Sequence, residues 1–136
     1  MPITGGCLCG KVRYQIAVEA PLAVRQCWCR VCQYLSAGGG TVNAIFPKAA
    51  ITVSGETAVY ASIADSGAPM RRTFCPTCGT PLFSEAEPRP HRIIVRVGTL
   101  DNPELGRPES VIWTRSAPRW ACFDATLPQT DRQPAS

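Results

Sequence analysis

Apolar and polar residues alternate with a period of two in several short stretches, and no stretch carries a long period-3.6 pattern. From Lys11 to Val18, Val12, Tyr14, Ile16 and Val18 fall on one face, with Arg13 and Gln15 on the other. Further strands are expected at Thr41–Phe46, Met70–Phe74, Thr80–Ser84, Arg92–Val97 and Ser110–Thr114. Ile51–Ser54 and Ala58–Ala61 flank Gly55-Glu56 and read as a hairpin. The helical candidates are short turns near Gln33–Ala37 and Pro103–Leu105. Thirteen prolines and eleven glycines interrupt the chain at short intervals, which suits a mainly β fold with little helix. One domain is expected over residues 1–127. Residues 128–136 are polar and aperiodic and read as a disordered tail.

The 136-residue length suits one modest core, and 45% hydrophobic with 18% charged residues is a globular balance. No apolar run approaches the ~18 residues that span a bilayer, and no charged start followed by an apolar stretch marks a secretory signal. The expectation is a soluble, cytoplasmic protein that does not act at a membrane. Net charge is +4, but Lys and Arg are scattered, so nucleic acid is not an expected partner. Small anionic ligands suit this mildly basic surface better.

Eight cysteines change the picture. Without an export signal they point to metal rather than to disulfides. Seven fall in three clusters: Cys7-Leu8-Cys9, Cys27-Trp28-Cys29-Arg30-Val31-Cys32 and Cys75-Pro76-Thr77-Cys78. Two intervening residues let Cys75 and Cys78 grip one ion, and Gly79 allows the tight turn that follows. The glycines around Cys7 and Cys9 give that pair the same freedom. Two pairs make four ligands, so Cys7, Cys9, Cys75 and Cys78 are expected to close a structural zinc site.

Cys27, Cys29 and Cys32 supply three ligands, which describes a zinc site with an open, catalytic position. Cys122 could complete it, although alternation in Trp120–Phe123 makes Cys122 look like an ordinary core position. Zinc on three thiolates carries a net charge of −1 and is a weak activator of water, so thiol chemistry is favoured over hydrolysis. Two zinc ions per chain are expected, the second more easily lost. His91 is the only histidine, and it reads as a surface residue. Trp113 and Trp120 read as core rather than as a substrate platform. Gly38-Gly39-Gly40 is not a phosphate loop, because no Gly-Lys-Ser/Thr follows.

Three groups of residues together resemble the glutathione-dependent formaldehyde-activating enzyme family, which also contains centromere protein V. They are Gly5-Gly6-Cys7-x-Cys9-Gly10-x-Val12-x-Tyr14, then Cys27-x-Cys29-x-x-Cys32, then Phe74-Cys75-x-x-Cys78-Gly79-x-Pro81-Leu82-Phe83. Val97–Asp101 and Ile112–Trp120 look like the family's remaining signatures. The resemblance implies antiparallel sheets in a tent-like β-sandwich stapled by the structural zinc. It implies a catalytic zinc on Cys27, Cys29 and Cys32. It also implies a carbon–sulfur lyase reaction joining glutathione, the expected small-molecule partner, to formaldehyde as S-(hydroxymethyl)glutathione. Many members carry His where this chain has Trp28; an indole can stack on a substrate but cannot relay protons. Arg30, Arg71, Arg72, Arg115 and Arg119 are candidates to pair with substrate carboxylates, Arg30 foremost because it lies inside the cluster. A non-catalytic, zinc-stabilised binding module is the alternative.

Overall fold

The computed structural model describes residues 1–135. Among the described residues, ten strands form two sheets. The smaller sheet holds β1 (Ile3–Gly6), β2 (Arg13–Ile16) and β5 (Ile51–Ser54) in the order β1-β2-β5. The larger holds β3 (Ala23–Cys27), β4 (Thr41–Pro47), β6 (Ala58–Ile63), β7 (Pro69–Phe74), β8 (Pro81–Ala86), β9 (Arg92–Arg96) and β10 (Ser110–Ile112). Its order is β10-β3-β4-β9-β8-β7-β6. All pairings between named strands are antiparallel except β10 with β3. Among the described residues the single α-helix, α1 (Arg30–Leu35), is six residues long, and no helix is long and apolar enough to cross a membrane.

The two sheets pack face to face. Tyr14 and Ile16 on β2, Val24 on β3, Phe46 on β4 and Ile93 and Val95 on β9 belong to one buried cluster. The Tyr14 and Phe83 rings meet edge to face at 5.2 Å. Alternation explains this layer: in β9, Ile93 and Val95 enter the core, so Arg92, Ile94 and Arg96 point to the opposite face. Burying apolar area at about 25 cal/mol per Å² makes that face choice decisive. A one-residue slip would drive two arginines into the core.

Two sequence expectations are corrected. Ile51–Ser54 and Ala58–Ala61 are strands but not a hairpin: β5 pairs with β2, while β6 pairs with β7 in the other sheet. Gly55, at φ +97°, turns the chain from one layer to the other. The segment from Pro128 is not a free tail. The Val111 N–H donates to the Pro128 carbonyl at 2.9 Å, and the Thr130 N–H donates to the Val111 carbonyl at 2.9 Å. Backbone pairing to a sheet edge does not need apolar side chains, so a polar segment can join it. The last residue, Ser136, lies outside the described residues.

Candidate functional site

The two expected cysteine groups assemble. Cys7 and Cys9 follow β1, and Cys75 and Cys78 form the turn between β7 and β8. Glycines in the left-handed region close both loops, Gly10 at φ +81° and Gly79 at φ +76°. Backbone N–H groups aim at sulfur: Val12 donates to Cys7 Sγ at 3.3 Å, and Thr77 and Cys78 donate to Cys75 Sγ at 3.4 and 3.5 Å. The sulfurs of Cys7 and Cys9 stand 3.6 Å apart, and those of Cys9 and Cys75 stand 3.8 Å apart. A disulfide would require about 2.05 Å. Thiolates at about 2.3 Å from one tetrahedral zinc stand about 3.8 Å apart, which is the spacing found. All four sulfurs lie within 4.8 Å of one another, so the group could hold one metal ion.

Cys27 ends β3, Cys29 caps α1, and Cys32 lies in its first turn. The Cys32 N–H donates to Cys29 Sγ at 3.3 Å. All three side chains are buried, and their sulfurs lie within 4.8 Å of one another. Hydrogen bonds from Cys27 and Cys29 push the Cys32 thiol down, while those with Cys29 and Cys32 push the Cys27 thiol up. Three converging sulfurs with room for a fourth ligand fit a second metal ion. Gln33 braces the loop from behind, donating to the carbonyls of Trp28 at 2.8 Å and Ser116 at 2.9 Å.

The triad opens onto a cavity of about 530 Å³ on the face of the large sheet away from the core. Alternation builds the wall: Arg25 on β3, Asn43 and Ile45 on β4, Arg92, Ile94 and Arg96 on β9, Ser84 on β8 and Arg72 on β7. Arg89, Arg132 and Trp113 also line it, so among the described residues the wall holds six arginines against one carboxylate, Asp65. Arg72 and Arg96 are buried, whereas Arg25, Arg89 and Arg92 are half-buried and Arg132 is exposed. Burial pulls the Arg96 charge toward neutrality, and the nearby cysteine sulfurs oppose that. Trp113 sits in the left-handed region at φ 58° and is tied to the C-terminal segment, its Nε1 donating to Gln133 Oε1 at 3.0 Å. Asp65 also reaches the triad loop, accepting from the Arg30 N–H at 3.0 Å.

Several sequence candidates lie elsewhere. Arg30 is exposed and outside the cavity wall, its guanidinium lying over the Tyr34 ring at 5.3 Å and bonded to Gln33 Oε1. Arg71, Arg115 and Arg119 are exposed and do not line the cavity, whereas Arg72 does. Trp28 does not line the cavity either; it is buried against Trp120 and Phe123. Neither Trp120 nor Cys122 is a core residue, since both are exposed on a strandless segment, where alternation fixes no face. Sequence reasoning missed Arg25, Arg89, Arg92, Arg96 and Arg132. The signal for two of them was present: Arg92 and Arg96 alternate with the core-facing Ile93 and Val95.

Residues 2–116 match the model of the glutathione-dependent formaldehyde-activating enzyme family. A Halomonas elongata protein is 29% identical over 112 residues, spanning 79% of this chain and 71% of its own length. Its name carries the same designation as a provisional one. A crystal structure of a Rhodobacter sphaeroides protein shares the fold with a TM-score of 0.58 at 23% identity, covering 77% of this chain and 96% of its own. The family model spans both cysteine groups and most of the cavity wall, and the chain belongs to the glutathione-dependent formaldehyde-activating enzyme family.

Proposed function

We propose that this protein is a zinc-dependent carbon–sulfur lyase acting on S-(hydroxymethyl)glutathione or a related thiol–aldehyde adduct, and catalysing the addition in reverse. The observation that carries this reading is the Cys27, Cys29 and Cys32 triad at the wall of an arginine-lined cavity. A cavity near 530 Å³ falls within the ~300–1,000 Å³ of small-molecule sites. Glutathione carries two carboxylates and one ammonium group. Guanidinium groups grip carboxylates in bidentate fashion, and the Asp65 carboxylate in the cavity wall has the sign that an ammonium needs.

Zinc bound at the triad would supply a Lewis acid that keeps the substrate sulfur a thiolate. The chain's own residues do the rest. The rim arginines orient the two carboxylates, and the cavity limits water around the adduct carbon. In the lyase direction the adduct hydroxyl loses its proton, and the C=O bond forms as the C–S bond breaks with its electron pair on sulfur. The proton returns to that sulfur as the free thiol. Holding both halves in one cavity makes the reverse addition effectively unimolecular.

Exchange spectroscopy on ¹³C-formaldehyde and glutathione tests this reading. Zinc-loaded protein is expected to accelerate exchange through the adduct above the spontaneous rate. No acceleration removes this substrate pair, and glutathione binding without acceleration favours a non-catalytic binding module.

A further inference from the structure

Arg72 and Arg96 differ from the other arginines of the cavity. Arg72 is 8% exposed and Arg96 is 9% exposed. Arg72 sits on β7 opposite Ser84 of β8, and Arg96 sits on β9 opposite Asn43 of β4. Each guanidinium has one neutral partner: Arg72 Nη1 donates to Ser62 Oγ, and Arg96 Nη1 donates to Asn43 Oδ1 at 2.6 Å. The Nε of each is buried without a hydrogen-bond partner. Among the described residues no carboxylate lies within ion-pair distance of either.

A buried cation without a counter-charge is strongly disfavoured, and an unmade hydrogen bond to a buried charged donor adds to the cost. The triad offsets part of this, because three thiolates on a divalent ion carry a net −1. Two buried guanidinium groups against that single charge leave room for one further anion. The two carboxylates of glutathione already have the half-buried and exposed arginines of the rim. Formaldehyde brings no charge to the reacting carbon.

We infer that Arg72 and Arg96 form an anion subsite for a carboxylate on the carbon that bonds to sulfur, so that the aldehyde taken is an aldehydic 2-oxo acid. This rests on the thiol-adduct reading above and narrows its electrophile. In the addition, the thiol sulfur bonds to the aldehyde carbon, the C=O π pair moves to oxygen, and the thiol proton ends on that oxygen. The product is a hemithioacetal bearing three carboxylates. Nothing is oxidised or reduced.

Calorimetric binding of two stable glutathione thioethers to the zinc-loaded protein tests this. S-(carboxymethyl)glutathione and S-(carbamoylmethyl)glutathione have the same shape and differ by one charge on that carbon. The acid is expected to bind at least about tenfold more tightly than the amide, as a charge-assisted pair implies. The preference should vanish in Arg72→Met and Arg96→Met. Equal binding of both conjugates overturns the subsite and leaves the glutathione reading standing. Binding of neither overturns both. A preference that survives in both variants overturns the assignment to these residues. The wild-type comparison decides alone if a variant fails to fold.

Discussion

Arg96 lies directly across the β4–β9 ladder from Asn43, and its Nη1 donates to Asn43 Oδ1 at 2.6 Å. Asn43 Nδ2 in turn donates to Thr41 Oγ1 at 3.0 Å, and Thr41 lies directly across the β3–β4 ladder from Cys27. A buried relay of polar groups thus runs from a guanidinium to the cysteine triad.

Asn43→Ala removes the middle of that relay and leaves Arg96 without its one side-chain partner. A hydrogen bond to a charged group is worth about 1.5–3 kcal/mol. Denaturant unfolding of the variant should show a loss of that size. Unchanged stability would mean that the Arg96 charge is satisfied elsewhere.

Trp28 is 3% exposed, with ring centroids 6.4 Å from Trp120 and 6.2 Å from Phe123. A Cβ on Gly40 would meet Trp28 Cε2 at 2.9 Å, so backbone also presses on the indole. Trp28→His should cost about 2–4 kcal/mol by leaving a cavity. It should not raise the exchange rate, because the side chain does not line the cavity. A faster variant of wild-type stability would restore a proton-relay role to this position.

Arg30 lies beside the triad in sequence but outside the cavity in space. Arg30→Ala should change KM for the adduct by less than about twofold, whereas Arg92→Ala should raise KM at least about fivefold by removing a charge-assisted contact. Steady-state kinetics on the two variants, side by side, checks this. The reverse ranking would move the carboxylate contacts out of the cavity.

Asp101 ties the small sheet to the loop after β9, accepting from Arg13 Nη1 at 3.0 Å and Thr4 Oγ1 at 2.7 Å. The Arg13 hydrogen bond, then that of Thr4, holds its carboxyl below the usual range. A depressed folded value means stability that is present above the unfolded value of about 3.9 and lost as pH falls through the folded one. Asp101→Asn should therefore be less stable than wild type at neutral pH, with the gap closing in acid. The gap should stay below about 1 kcal/mol, because the side chains are 46% and 47% exposed and solvent screens the pair. Unfolding curves at pH 7 and pH 3 give the comparison, and a gap that widened in acid would reverse the sign.

The sulfur pairs and the triad were legible because the members of each are neighbours in sequence, and the four ligands of a closed site joined Cys7 and Cys9 to Cys75 and Cys78. β2, with one buried face, was legible from alternation. The cavity was not. Arg25, Arg72, Arg92 and Arg96 are scattered along the chain and converge only through the order and register of the large sheet. Short β1 and β3 were missed: two of the four residues of β1 are glycine, and β3 runs straight into the triad. Gly55 reads equally well as a hairpin turn and as a crossing between layers, and only the partner strands of β5 and β6 separate the two.

Metal content per folded chain is the most direct measurement of the central claim, that two cysteine groups each hold an ion. Wild type is expected to carry two zinc ions and Cys29→Ser one, with the four-sulfur site of Cys7, Cys9, Cys75 and Cys78 intact. A mild chelator should strip the three-sulfur site first, since it has fewer protein ligands. Fully folded wild-type protein containing no metal, or a Cys29→Ser variant that still carries two ions, would contradict the account.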